Sequence, residues 1–423
     1  MSSRSACYYV GAANGRAVAK PLAIGRMMPR LVFCLCLLAS GRSGADNKAL
    51  PLTLHYFGTA GLAHSGSGQA EFVRDLSQPD GVKGGQWSAT VDSLAGLQAN
   101  LTINDQLEIV GQGVSRYHFG GTYLPELTWA YAKYSPRPEL DLRGGRLGVD
   151  FYMRADSRLV GYSYLPVRPA VDYYGGLPYQ YIDGLDGTVK LPMGKGVLRA
   201  KLFGGYSPEK IPPAWDVSGT LVLGGNLGYQ WDSWQLRFSY TQIQHARDLA
   251  RIQELLAALR GIPRPETQAA ADALTVQDTI SRHYSLGMTY DKGPWQVELM
   301  VSGAVHETAS LQDNFAGYLL AGYRVGAVTP YAGLSWSQAA TNTIGRTKIP
   351  LLDAAVAKAI GASHSNQHTF TLGLRWDFYR GMDAKIQWDA VLGSPDSVFL
   401  VRGEQPGWNG QTDVLSATLD FAF

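Results

Sequence analysis

Arg143, Arg146, Lys190, Arg199, Lys201 and Arg237 sit in segments where apolar and polar residues alternate, and Arg154, Arg158 and Arg168 fall in an irregular stretch between them. Guanidinium and ammonium groups gathered on one surface do not by number alone make or break bonds. They set up a positive potential that draws in anions, and low-dielectric walls strengthen it. The alternative is that neighbouring Asp and Glu neutralise each cation, so that together they only keep the surface hydrated. Other candidates for chemistry are thinner. His364 and His368 have the spacing of two metal ligands on one helical turn, but no third ligand is evident and the stretch is a loop edge. Asp183-Gly184-Leu185-Asp186-Gly187 lacks the further oxygen ligands of a calcium loop and reads as a turn entering a strand. No Ser-His-Asp constellation stands out, and Leu223-Gly224-Gly225 sits inside a strand with no phosphate-loop context. No catalytic residue, metal or cofactor is expected.

The elements that position the cations have a period of two. In 295–302, Trp295, Val297, Leu299 and Val301 alternate with Gln296, Glu298, Met300 and Ser302. In 370–378, Phe370, Leu372, Leu374, Trp376 and Phe378 alternate with Thr371, Gly373, Arg375 and Asp377. Successive side chains of a strand point to opposite faces, so each segment has an apolar and a polar face. Sixteen such strands are predicted, over 52–63, 86–103, 106–117, 126–134, 140–149, 185–191, 196–206, 216–229, 234–243, 283–291, 295–306, 316–327, 329–338, 368–379, 383–392 and 412–423. Long links alternate with tight Asn, Asp, Gly and Pro turns, which sorts the loops to one rim. Parity turns Arg116, Lys190, Arg199, Lys201, Arg237, Arg324, Arg375 and Lys385 to the polar face, with Asp92, Glu108, Glu298, Asp377 and Asp389. In 140–149, Leu140 and Leu142 share one parity and Leu147 and Val149 the other. A β-bulge at Gly144-Gly145 would resolve the conflict and bring Arg143 and Arg146 to the same face.

The apolar run 31–40, preceded by Arg26 and Arg30 and followed by Ser43-Gly44-Ala45, has the form of a secretory signal, with a start at Met27 or Met28 and cleavage after Ala45. Residues 1–45 hold six basic and no acidic residues, so 46–423 carry 31 basic against 35 acidic groups. The basic balance therefore belongs to the leader, and no nucleic-acid partner is expected. Cys7, Cys34 and Cys36 also lie there, which excludes a disulfide framework or thiolate chemistry in 46–423. After Ala45 no apolar stretch is long enough for a helical span.

Two segments break the strand pattern. In 248–260, Leu249, Ile252, Leu255, Leu256 and Leu259 share one helical face before Gly261 and Pro263 end it. The stretch 350–360 is a second helix, opened by Pro350 and closed by Gly361.

The signal segment, the opening strand LTLHYFGTAGLA, the Gly145-Arg146 pair, the long link after the fifth strand and the terminal Phe423 together resemble the bacterial outer-membrane porins of sixteen strands. That resemblance implies an all-β fold: a transmembrane antiparallel up-and-down β-barrel, its long third loop folded into the lumen and short helices in its outer loops. It implies a homotrimer in the Gram-negative outer membrane, inserted by the barrel-assembly machinery and in contact with lipid and lipopolysaccharide. Its function would be passive diffusion of small hydrophilic solutes with a mild anion preference. The third loop lacks the acidic motif of the non-specific porins and is rich in Tyr, Pro and Arg. Three readings compete: a barrel-borne lipase or protease, an adhesive barrel, and a sugar channel guided by Tyr162, Tyr164, Tyr173, Tyr174, Tyr179 and Tyr181.

Overall fold

Alternation gives each strand an apolar face, and those faces turn away from the centre of the molecule. The computed structural model describes residues 52–177, 179–211, 215–397, 401–402 and 407–423. The expected leader 1–45, with Met27, Met28 and the three cysteines, lies outside the described residues. The long strands are β1 (Leu52–Ser65), β2 (Leu94–Asn104), β3 (Leu107–Arg116), β4 (Glu126–Arg137), β5 (Leu140–Gly148), β6 (Tyr181–Met193), β7 (Gly196–Tyr206) and β8 (Leu221–Trp231). They continue with β9 (Trp234–Gln244), β10 (Ile280–Lys292), β11 (Trp295–His306), β12 (Asn314–Tyr323), β13 (Val328–Ala339), β14 (Asn366–Tyr379), β15 (Met382–Gly393) and β16 (Gln411–Ala422). The sheet counts seventeen strands, one of them the two-residue stub Trp87–Ser88, which leaves sixteen. Each pairs antiparallel with the next. β16 returns to β1 in unbroken register from Phe57↔Ala422 to Ser65↔Val414, which closes the barrel.

The barrel is inside out relative to a water-soluble sheet. Leu54, Leu185, Leu202, Leu227, Phe238 and Leu286 are exposed on its outer face. Thr59, Ser239, Thr241, Ser285, Asp383 and Asp420 are buried on its inner face. An outer band of this kind, with polar residues inside, is what a barrel needs to stand in hydrocarbon. Rings cluster near the short-turn rim, where Trp231 stacks on Trp234 at 6.2 Å and Trp295 meets Tyr323 at 4.9 Å.

The tight turns lie at 105–106, 138–139, 194–195, 232–233, 293–294, 324–327 and 380–381, all at one rim. Gly293 (φ 58°) and Asp232 (φ 46°) supply the left-handed backbone such turns require. The other rim carries the long loops. From loops five and seven rise α2 (Gln253–Arg260), α3 (Pro265–Leu274) and α4 (Pro350–Gly361), while α1 (Val171–Tyr174) belongs to loop three. The predicted face of 248–260 is correct, since Leu249, Ile252, Leu256 and Leu259 are buried together with Leu274 of α3 and Val356 of α4. The helix starts later than expected, however, at Gln253 after a 3₁₀ turn, and α3 has no counterpart in the expectations.

Four strand boundaries need correction. β6 begins at Tyr181, so that 183–187, read from the sequence as a turn, is paired on both sides within the strand. Residues 89–93 leave the sheet because side chains satisfy their backbone. Gln78 Nε2 donates to the Thr90 and Val91 carbonyls at 3.1 Å, and Ser88 Oγ accepts from Thr90 N at 3.2 Å. β8 begins at Leu221, because Asp216 caps Ser218 N at 3.0 Å and Gly219 turns the chain at φ 80°. β12 ends at Tyr323, since 324–327 is a turn around Gly326. The bulge expected at Gly144-Gly145 does not exist. β5 pairs with β6 without a break from Leu140↔Val189 to Gly148↔Tyr181. Leu147 keeps the inward parity of Arg143 because the lumen is apolar at that height: Leu147 packs with Val149, Phe151, Tyr179 and Ile182 beneath loop three.

Rings lie over glycines directly across the ladder: Phe57 over Gly96, Phe203 over Gly224 and Tyr331 over Gly373. A Cβ on Gly373 would stand 2.2 Å from the Tyr331 ring. Gly373→Val is therefore expected to displace Tyr331 and break its 3.0 Å bond to Gln387 Oε1. It should cost about 1–3 kcal/mol, the usual range for overpacking, and be read as a lowered denaturant midpoint. An unchanged midpoint would mean that the ring swings aside freely.

Candidate functional site: the lumen and loop three

Loop three (149–180) leaves β5 and crosses the lumen, because the wall offers it ionic partners on both sides. At its start, Asp150 takes Arg237 Nη2 at 2.5 Å and Lys201 Nζ at 2.8 Å. Burial alone would raise the Asp150 pKa, but Arg237 and Lys201 outweigh it and hold the carboxyl well below the usual range. Farther on, Ser285 Oγ of β10 donates to the Phe151 carbonyl at 3.1 Å, and Arg154 pairs with Glu298 of β11. Arg375 of β14 donates to the Tyr162 and Tyr164 carbonyls at 2.9 and 2.7 Å, and Lys385 of β15 to that of Gly161 at 2.8 Å.

The deepest anchor is Arg168, 2% exposed. Its Nε and Nη2 meet Asp92 at 2.8 and 2.6 Å, its Nη1 meets Asp389 at 3.0 Å, and Nη2 also reaches Ser416 Oγ at 2.5 Å. Beyond it, Asp172 accepts from Ser335 and Gln367, both at 2.5 Å. Tyr152, Tyr173, Tyr174 and Tyr318 pack ring against ring, with centroids 4.8–6.2 Å apart. Of the tyrosines that could have formed a sugar track, Tyr173, Tyr174 and Tyr179 are buried in this apolar cluster, and Tyr164 and Tyr181 are buried outside it. Tyr162 alone of the six is half-exposed.

The structure brings together most of the predicted basic wall. Arg143, Lys190, Arg199, Lys201 and Arg237 face the lumen from β5, β6, β7 and β9. Arg146 does not join them. With no bulge its parity is opposite to that of Arg143, and it lies on the outer face over the Tyr181 ring, bonded to Asp183 at 2.8 and 2.9 Å. The arginines of loop three do not join the wall either. Arg154 and Arg168 reach across to the opposite side, and Arg158 is an internal strut that donates to the Tyr179 carbonyl at 2.7 Å. Arg324 lies past the end of β12, held at the short-turn rim by Asp291 at 2.7 and 2.8 Å.

Pairing of the cations with Asp and Glu is one of the two readings of the sequence, but the partners themselves are not among the inward acids it names. Arg143 is bound to Asp186 at 2.5 Å, Lys190 to Asp141 at 2.5 Å, and Lys201 to Asp186 at 3.1 Å as well as to Asp150. Parity could have found Asp141, two residues from Arg143, and Asp186, four from Lys190. Asp150 depends on the loop turning back, which no local pattern announces. Among the described residues Arg199 makes no ion pair with a carboxylate. It is exposed in the lumen opposite Lys190, with side-chain-free Gly228 on its other side.

At the outer rim Ser281 Oγ lies between His245 Nε2 at 2.7 Å and His306 Nδ1 at 2.6 Å. A hydroxyl bonded to an imidazole is the start of a nucleophile, but Ser281 is 1% exposed and no substrate could reach it. Burial, with His306 adding to it, pushes the His245 pKa down to about 4. The string is thus a neutral tie between strands. His364 and His368 do not meet a third ligand: His364 bonds Gln312 Oε1 at 2.8 Å, and no group of three metal-ligating side chains occurs among the described residues.

Removing the loop anchor should show. Arg168→Leu would leave Asp92 and Asp389 buried without a partner cation, a loss of about 3–5 kcal/mol, seen as a lower denaturant midpoint and protease cleavage within 149–180. Glu209, just past β7, accepts from Gln180 N at 2.8 Å and holds the exit of loop three. Burial pushes its carboxyl from 4.5 up to about 8. The folded protein thus keeps a proton that the unfolded chain releases, and this contribution to stability falls as pH rises from about 4.5 through about 8. Denaturant midpoints taken across that range should decline, and Glu209→Gln should flatten this part of the slope.

No protein-family model matches the chain, and no curated protein matches it in sequence. Solved structures do match. The anion-selective porin from Comamonas acidovorans aligns over 88% of this chain and 99% of its own length, at 12% identity and a TM-score of 0.53. The Salmonella typhi OmpF complex with daunomycin aligns over 88% and 97%, at 12% identity and 0.55. The outer membrane channel DcaP of Acinetobacter baumannii aligns over 90% and 100%, at 11% identity and 0.54. Likeness at such identities is a likeness of fold, and the fold is the sixteen-stranded barrel of Gram-negative outer-membrane proteins.

Proposed function

We propose that this chain is a porin: a water-filled channel in the outer membrane through which small hydrophilic solutes diffuse, with a mild preference for anions. One observation carries the reading. Loop three fastens mainly to the wall from β10 round to β16 and leaves three inward cations of β5 to β7 open, with Arg143 25%, Lys190 33% and Arg199 still more exposed, while inward Leu147, Ile182 and Phe203 are buried. A sixteen-stranded barrel is too wide for side chains to fill, so polar groups left uncovered inside it line water. The likeness in fold to an anion-selective porin and to outer-membrane channels agrees with this. A trimer, export by a leader, and contact with lipopolysaccharide and the assembly machinery belong to the same proposal.

The anion preference is mild because most lumen cations are matched by Asp141, Asp150 and Asp186. Of the basic wall, Arg199 is the cation without an ion pair among the described residues, and its field sets the sign. It acts over a Debye length of about 8 Å at 0.15 M salt and about 3 Å at 1 M, so the preference fades in concentrated salt. In a planar bilayer under a salt gradient, the reversal potential of the unaltered protein should lie on the anion side. Arg199→Glu should carry it across zero, while Lys190→Gln shifts it less. Cation selectivity in the unaltered protein would end the anion reading. A folded, inserted protein with no conductance would end the channel reading.

A further inference from the structure

Loop three leaves a second compartment on the side of the lumen away from the basic wall. Between residues 162–165 of the loop and the inner faces of β11 to β14 lies a cavity of about 270 Å³, bounded toward the short-turn rim by Arg324, Arg375 and Asp377. Two of its three arginines are already engaged. Arg324 gives both terminal nitrogens to Asp291, and Arg375 is held by Asp377, Asp383 and two loop carbonyls.

Arg154 differs. Its Nη1 meets Glu298, but its Nε and Nη2 have no hydrogen-bond partner among the described residues, and the side chain is 35% exposed where it lines the cavity. Its backbone is left-handed at φ 64°, a conformation that residues with a Cβ seldom adopt and that clusters at functional sites. The surrounding chain enforces it. Tyr164 Oη donates to the Arg154 carbonyl at 2.8 Å, and Tyr174 Oη donates to the Met153 carbonyl at 2.6 Å.

The rest of the lining suits a hydroxylated molecule. The Tyr162 and Thr329 hydroxyls reach the cavity with no partner among the described residues, beside Ser163 and the Gln296 amide, and Leu165 and Leu320 form an apolar wall. The charges lining the space are three arginines against Glu298 and Asp377, with Asp291 and Asp383 holding Arg324 and Arg375 from behind, so Arg154 is the cation with open N–H groups to offer a carboxylate. We infer that this cavity binds a small hydroxylated monocarboxylate, its carboxylate on the open edge of Arg154 and its hydroxyls on Tyr162, Ser163 and Thr329. The inference rests on the channel reading for the route by which the solute arrives, and binding can be measured without that route.

The test is calorimetric titration of the detergent-solubilised full chain with sodium gluconate, with acetate and glucose as controls. Gluconate should bind saturably and at least tenfold more tightly than either control, since acetate lacks the hydroxyls and glucose the charge. Arg154→Gln should weaken gluconate about tenfold or more, as expected for loss of a charge-assisted bond. Thr329→Val, which leaves the Arg154–Glu298 pair intact, should weaken it several-fold, and Arg199→Gln should leave it unchanged. Acetate or glucose binding as tightly as gluconate would overturn the inference, and so would gluconate affinity indifferent to both Arg154→Gln and Thr329→Val. A chain that binds gluconate as described but conducts no ions would sink the channel and keep the site. One that conducts but never binds gluconate would do the reverse.

Discussion

The constraint on which everything else depends is that a backbone standing in hydrocarbon has no water to bond, so each spanning N–H and C=O must find a partner in the chain. Sheet pairing answers it only if there is no edge, and here the answer is the junction of β1 with β16. Beyond the ladder itself, Tyr56 N donates to the Phe423 carbonyl at 2.9 Å, and Phe423 N donates to that of Tyr56 at 2.8 Å. Closing sixteen strands in this way fixes a cylinder wider than side chains can fill. The interior problem follows directly: the chain must leave that space to solvent or fill it with itself.

Loop three is the part of the chain that fills it, and the way it is held explains the character of the lumen. An irregular segment inside a barrel carries many unpaired carbonyls, so it needs donors from the wall. Arg375 and Lys385 supply them to Gly161, Tyr162 and Tyr164. Buried cations in turn need carboxylates, hence Asp383 and Asp420 beside Lys385, and Asp92 and Asp389 beside Arg168. Charge balance in the covered half of the lumen is thus a requirement of burial. In the uncovered half water can solvate an unmatched cation, and Arg199 stands there.

Much of this could be read in the sequence, and what could not has physical causes. The sixteen strands, the sorting of loops to two rims and the helical faces in loops five and seven follow from periodicity and turn residues, which are local. Arg146 was misplaced because an inward-facing Leu147 conflicts with the idea of a polar lumen. That conflict vanishes once Phe151 and Tyr179 cover Leu147, but the cover comes from a loop whose path is set by contacts made far away in the chain. Asp150, Asp92 and Asp389 were unreadable as partners for the same reason: Arg168 lies 76 residues from one of its acids and 221 from another.

The small helices at the outer rim form an apolar cluster of their own. Leu249, Ile252, Leu256, Leu259, Leu274, Leu311, Val356 and Ile360 bury one another, drawn from loops five, six and seven and from no barrel strand. A cluster whose members depend mainly on each other can open and reclose as one cooperative unit while the sheet beneath keeps its hydrogen bonds. Heat or denaturant would therefore loosen this crown first, as a melting step of its own, long before the cylinder itself gave way.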